Sequence, residues 1–165
     1  MKKQKVYLET SLFNFYVDEI EKHSPGDTVR LFEEIAAGKY EAFTSAYVLK
    51  ELKRASEKRR IKMLDLITRY GITVLDENDE AVIMAGIYVE EDVIPKKYKT
   101  DGIHIAIAAV NGLDMIVSMN LRHIVKCKTI KMTTHINIMN GYRAVKICSP
   151  KEVAGYGKED PSDRA

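Results

Sequence analysis

The chain has 165 residues, enough for one domain with its own core and too few for two ordinary ones. Lys and Arg number 26 against 24 Asp and Glu, a net charge of +2, and 45% hydrophobic with 30% charged residues describes a globular chain, not a disordered or fibrous one. Near-neutrality excludes a histone-like binder that works by bulk charge, and leaves room for a local basic groove.

Val6 to Leu8 is a short apolar run that reads as a first strand and ends in the polar cluster Glu9-Thr10-Ser11. A helix is expected from about Leu12 to Glu21. Ser24-Pro25-Gly26-Asp27 breaks it and caps the next, Thr28 to Ala37, which Gly38 stops. Tyr40 to Ser45 reads as a strand, followed by helical segments over Ala46 to Glu57 and Lys58 to Tyr70, with Gly71 as the stop. Ile72 to Leu75 is a further strand and Glu77 to Glu90 a further helix. Asp92 to Thr100, with Pro95, reads as a loop, and Asp101 to Asn111 as a helix ended by Gly112. Met115 to Ser118 has the look of a buried strand, and Ala144 to Cys148 of the last one. The alternation is that of an α/β domain, a parallel sheet covered by helices, spanning residues 1–150 with a mobile tail over 151–165.

The basic start, Met1 to Lys5, meets only three apolar residues before Glu9, too few for a signal-peptide core. No apolar stretch approaches the ~20 residues of a membrane helix. Two cysteines, Cys127 and Cys148, suit a reducing compartment. A cytoplasmic protein with no membrane partner is the expectation.

Three carboxylates stand where a structural role explains them poorly. Glu9 ends the first strand, and ligands of open α/β sheets bind beyond the carboxyl ends of strands. Glu51 falls at the edge of an apolar stripe of Val48, Leu49, Leu52 and Ala55. Asp101 opens a helix whose next nine residues hold one polar side chain, His104, which marks the helix as buried. Capping is the plain explanation of Asp101 alone. Three such acids on separate elements point instead to a shared cation, and an all-oxygen donor set suits Mg²⁺ or Mn²⁺.

Tyr7-Leu8-Glu9-Thr10-Ser11, Ser45-x5-Glu51, Thr100-Asp101-Gly102-Ile103-His104-Ile105-Ala106 and Val117-Ser118-Met119-Asn120 together resemble the PIN domain, the nuclease fold of VapC-type toxins and of several RNA-processing enzymes. The resemblance covers residues 5 to 150 and is most specific over Asp101 to His123. It implies a three-layer α/β/α fold with a central parallel sheet. It also implies a Mg²⁺- or Mn²⁺-dependent endoribonuclease, with Glu9, Glu51 and Asp101 as catalytic metal ligands and Asn120 at the fourth, usually acidic, catalytic position. Thr10, Ser11, Asn120 and His123 would position water or substrate. RNA is the implied substrate, cut to a 5′-phosphate and a 3′-hydroxyl; an antitoxin protein and a homodimer are the implied partners. Two departures, glutamate for aspartate at position 9 and asparagine at 120, keep a second reading open: a catalytically weak or inactive PIN-fold protein that binds RNA or a protein partner.

Charge is segregated along the chain. From Met115 through Lys151 there is no Asp or Glu, but Arg122, Lys126, Lys128, Lys131, Arg143, Lys146 and Lys151 are present. Lys50 to Arg69 is also basic, whereas Asp76 to Asp92 carries acids and no Lys or Arg. Such runs can meet phosphates, or can be ordinary solvated faces. A zinc site from His123 and Cys127 with Cys148 or His135 lacks a second close ligand pair, and a small-molecule phosphatase lacks a nucleophile motif. His104 reads as a packed or hydrogen-bonded histidine. Tyr7 and Tyr142 are candidates for stacking a base.

Overall fold

Val6, Tyr7 and Leu8 are closed to solvent on both sides, and this run is the middle of a five-stranded sheet. A computed structural model of the chain describes residues 2–155. The strands are β1 (Gln4–Leu8), β2 (Tyr40–Ser45), β3 (Thr73–Leu75), β4 (Met115–Val117) and β5 (Lys146–Cys148), all parallel, in the order β3-β2-β1-β4-β5. Continuous apolar runs such as Val6 to Leu8 and Met115 to Val117 are what a parallel sheet buried on both faces requires.

The helices are α1 (Thr10–Glu21), α2 (Asp27–Ala36), α3 (Ala46–Leu52), α4 (Glu57–Arg69), α5 (Asp79–Glu90), α6 (Lys99–Val110), α7 (Cys127–Met139) and α8 (Pro150–Gly155). They pack as two groups, α5 with α6 and α7, and α1 with α2, α3 and α4, α8 lying on α2. The expected three layers around a parallel sheet are present. Chain order runs outward from β1 through β2 to β3, then returns to β4 on the other side of β1. Strand order therefore reverses between β1 and β4, and the crevice beyond their carboxyl ends is the natural place for a ligand.

Three local outcomes differ from the sequence reading. α7 stands where no helix is expected, because its segment is rich in β-branched Thr and Ile, residues that favour strands in isolation. Its buried positions, Thr129, Thr133, Ile136 and Asn137, lie on one side at helical spacing. Packing on α5 and α6 decides its form, with Tyr88 hydroxyl donating to Asn137 Oδ1. α6 starts at Lys99 after a 3-10 turn over Lys96–Tyr98, so Asp101 lies inside its first turn and does not cap it. The chain also continues past Pro150 as α8, with Val153 fully buried; the rest of the expected tail, 156–165, lies outside the described residues.

Gly102 fixes how closely α6 approaches α5. A Cβ there would stand 3.2 Å from Ile94 Cδ1 and 3.3 Å from Tyr88 Cδ2, tighter than ordinary contact. The neighbouring Asp101 is thereby set against the core of the α5–α6 layer. Among the described residues no helix is long and apolar enough to cross a membrane.

Candidate active site

Glu9 follows β1 directly, and its backbone N–H donates to the Val117 carbonyl of β4 at 3.2 Å, so it stands in the β1–β4 crevice. It is only 4% exposed and caps α1. Three donors hold its carboxylate: Ser11 Oγ at 2.6 Å and Ser118 Oγ at 2.5 Å to Oε1, and Ser11 N–H at 3.2 Å to Oε2. Both hydroxyls also accept, Ser11 Oγ from the Met119 N–H at 2.8 Å and Ser118 Oγ from the Asn120 N–H at 2.9 Å. The two serines therefore stitch the end of β1 to the end of β4 through the Glu9 carboxylate. A buried carboxylate needs such donors to remain charged.

Glu51, on α3, is turned towards α6. Its Oε1 is hydrogen-bonded to His104 Nε2, and His104 is fully buried. The other ring nitrogen, Nδ1, lies 2.7 Å from the Tyr7 hydroxyl, which lies 2.7 Å from Ser45 Oγ. Burial alone would lower the pKa of His104, but the Glu51 hydrogen bond and the charges of Glu9, Glu51 and Asp101 raise it above the usual histidine range. Burial would likewise lift Glu51, but the His104 hydrogen bond and charge hold it below the usual carboxylate range. The two shifts agree on an imidazolium–carboxylate pair. With both nitrogens protonated, Nε2–H donates to Glu51 and Nδ1–H to Tyr7, whose own O–H donates to Ser45 Oγ. Tyr7 is thus a buried link in this chain and is not available to stack a base.

Asp101 is half-buried. Burial raises its pKa, His104 pulls it back, and the Glu9 charge raises it again, leaving it above the ordinary value. The side-chain amide of Asn120 and the charge of His123 act on it in the lowering direction. Asn120 Oδ1 accepts the His123 N–H at 3.0 Å, so the asparagine links Asp101 to the segment after β4. The His123 ring stacks on Tyr98, with centroids 4.1 Å apart. The Thr10 hydroxyl is buried, helps to hold the Glu51 carboxyl down, and closes no hydrogen bond of ordinary geometry among the described residues.

Of the residues expected from sequence, Glu9 and Ser11 are joined through Ser118 to the Asn120 backbone, Glu51 and Asp101 both act on His104, Thr10 acts on Glu51, and His123 acts on Asp101. Sequence reading left Ser118 and Ser45 without a role, and gave His104 none in relation to Glu51. A serine after a buried strand was the only signal for Ser118. Nothing local in the sequence connects His104 to a residue 53 positions away.

Among the described residues no three His, Cys, Asp or Glu side chains stand close enough to enclose a metal ion, so neither a zinc site nor a complete carboxylate cage is preformed. The donor set nevertheless fits a Mg²⁺-like ion, which uses one or two carboxylates and completes its octahedron with waters and substrate phosphate oxygens. Glu9 and Asp101 repel one another across the crevice, a burden that a bound cation would relieve.

No family model and no curated protein matches the sequence. Among solved structures, the chain is similar to a chain of VapBC2 from Rickettsia felis, whose crystal structure was determined bound to a DNA fragment from the promoter. The likeness covers 88% of this chain and 98% of that one, with a TM-score of 0.58 and 16% sequence identity. What that likeness establishes is the fold, a three-layer α/β/α architecture of PIN-like form.

Proposed function

We propose that the chain is a Mg²⁺- or Mn²⁺-dependent endoribonuclease acting on single-stranded RNA, and the toxin of a toxin–antitoxin pair. What supports this reading is Glu9 in the crevice where strand order reverses, with Asp101 near enough for the two charges to repel. Likeness in fold to a chain of VapBC2 supports the toxin assignment and an antitoxin partner.

Glu9 and Asp101 would hold the ion, with Glu51 joining when released from His104. When bound, the ion supplies Lewis acidity to the scissile phosphate and lowers the pKa of an attacking water. Ser11 and Ser118 aim the Glu9 carboxylate. The side-chain amide of Asn120 acts on Asp101 from the β4 side, and the buried Thr10 hydroxyl acts on Glu51. His104 balances the acid cluster with a positive charge.

Cleavage of single-stranded RNA with Mn²⁺, with EDTA and by Asp101→Asn tests this reading. Metal-dependent cleavage that the variant loses is the expected result. RNA binding with no cleavage under any metal favours the second reading, a PIN-fold binding protein. Asn120 in place of an acid and the engagement of Glu51 by His104 are the observations behind it.

A further inference from the structure

Some cations of this chain are paired with acids and others are not. Four of those in the basic run 50–69 are paired with acids: Lys50 with Glu77, Arg59 with Asp18, Lys62 with Glu21 and Arg69 with Asp65. Paired cations have little charge left for phosphate. Lys53, Arg54, Lys58 and Arg60 of that run make no ion pair among the described residues, and after β4 Arg143 faces Asp114 at 3.9 Å. Arg122 and Lys126 make no side-chain hydrogen bond or ion pair among the described residues. Lys128 Nζ donates only to a backbone oxygen, that of Asp92, at 3.0 Å.

Lys96, Arg122, Lys126 and Lys128 line one cavity of about 500 Å³, with His123 at its wall and Val93 and Ile94 among its apolar residues. Asp92 is the sole acid of the lining. Its φ of 56° is left-handed, a conformation aspartate tolerates, and its carbonyl is the acceptor of Lys128. The cavity adds a second source of positive potential. α7 begins here, at Lys126 and Cys127, with no side-chain cap on its first-turn N–H groups.

The cavity adjoins the candidate active site. His123 belongs to its wall, and the same residue acts on Asp101 and donates its N–H to Asn120. On the other side, the 3-10 turn that carries Lys96 runs straight into α6 and Asp101. We propose that this cavity is a phosphate-binding subsite that grips the backbone of single-stranded nucleic acid next to the scissile position, an inference that rests on the nuclease reading of the neighbouring acids. The size suits one nucleotide, the cations around it suit the phosphates on either side of that nucleotide, and the His123–Tyr98 stack supplies an aromatic edge for the base.

The test is metal-free binding of a fluorescent single-stranded RNA of about 12 nucleotides to the full chain in EDTA, over a salt series. Arg122→Gln with Lys126→Gln is expected to weaken binding at least tenfold and to flatten the log–log salt slope by about 1.4, two phosphates at about 0.7 each. Lys62→Gln with Arg69→Gln, on α4, is expected to change neither. Unchanged affinity and slope in the first variant overturns the subsite, as does a wild-type chain that binds no oligonucleotide. Pyrophosphate binding as tight as the oligonucleotide reassigns the cavity to free phosphate compounds and also overturns it. Salt-sensitive binding lost in the first variant, with no cleavage in Mn²⁺, keeps the subsite and rejects the nuclease reading alone.

Discussion

His104 has both ring nitrogens committed, to Glu51 and to Tyr7, and lies in the field of three acids. Its folded pKa is raised, so its contribution to stability is fully present below about 6.5 and is lost as pH rises through the raised value. Glu51 has the opposite sign: its lowered pKa contributes above about 4.3, and the contribution is lost as pH falls through the folded value. Urea titrations of the wild type and Glu51→Gln should therefore differ most between about pH 4.3 and 6.5. We expect a gap there of about 1–3 kcal/mol, narrowing at alkaline pH. A gap independent of pH would show that the pair is not ionic. Asp101 behaves otherwise, since its raised pKa makes the ionised form a cost at neutral pH. Asp101→Asn is expected to lower cleavage at least about 100-fold, the scale of several kcal/mol. The same change should raise the melting midpoint by at most about 2–4 °C once solvent screening is allowed for. Loss of activity with loss of stability would instead make Asp101 a structural group.

At the scale of elements, α5 and α6 are held at a separation set by Gly102. Gly102→Val overpacks Ile94 and Tyr88 and should destabilise by about 1–3 kcal/mol in denaturant titration. α7 offers a change with two opposed effects. Lys126 occupies its cap position with extended backbone, φ −149° and ψ 150°, but provides no side-chain cap. Lys126→Ser supplies one and should stabilise the fold by roughly 0.5–2 kcal/mol, while weakening RNA binding through the lost cation. Stability rising with affinity unchanged would assign the lysine to the helix alone. The strands and the long amphipathic helices were legible because burial repeats locally, as in Val6 to Leu8. α7 was not, since tertiary packing overrides the strand preference of its Thr and Ile residues. Glu9, Glu51 and Asp101 stood out as polar groups in apolar settings. The roles of Ser118, partner of Glu9, and Tyr7, partner of His104, did not, because a hydrogen bond across 109 or 97 positions leaves no trace in local pattern.

For the whole molecule, the charge of +2 conceals a local concentration of cations, with Lys96, Arg122, Lys126 and Lys128 around one cavity. RNA affinity is accordingly expected to fall with salt at a log–log slope of about −2, as three phosphates would give. A slope near zero would remove the electrostatic basis of RNA recognition. The strand order has a consequence of a different kind, in time. β1 is made first and sits centrally, yet its neighbour β4 begins at Met115 and β5 at Lys146. At about 5–20 residues per second, a nascent chain spends several seconds as a β1–β2–β3 half-sheet with an open edge. The crevice does not exist until β4 docks against β1, bringing Ser118 to Glu9. A nascent chain thus carries no assembled crevice until Met115–Val117 has been made.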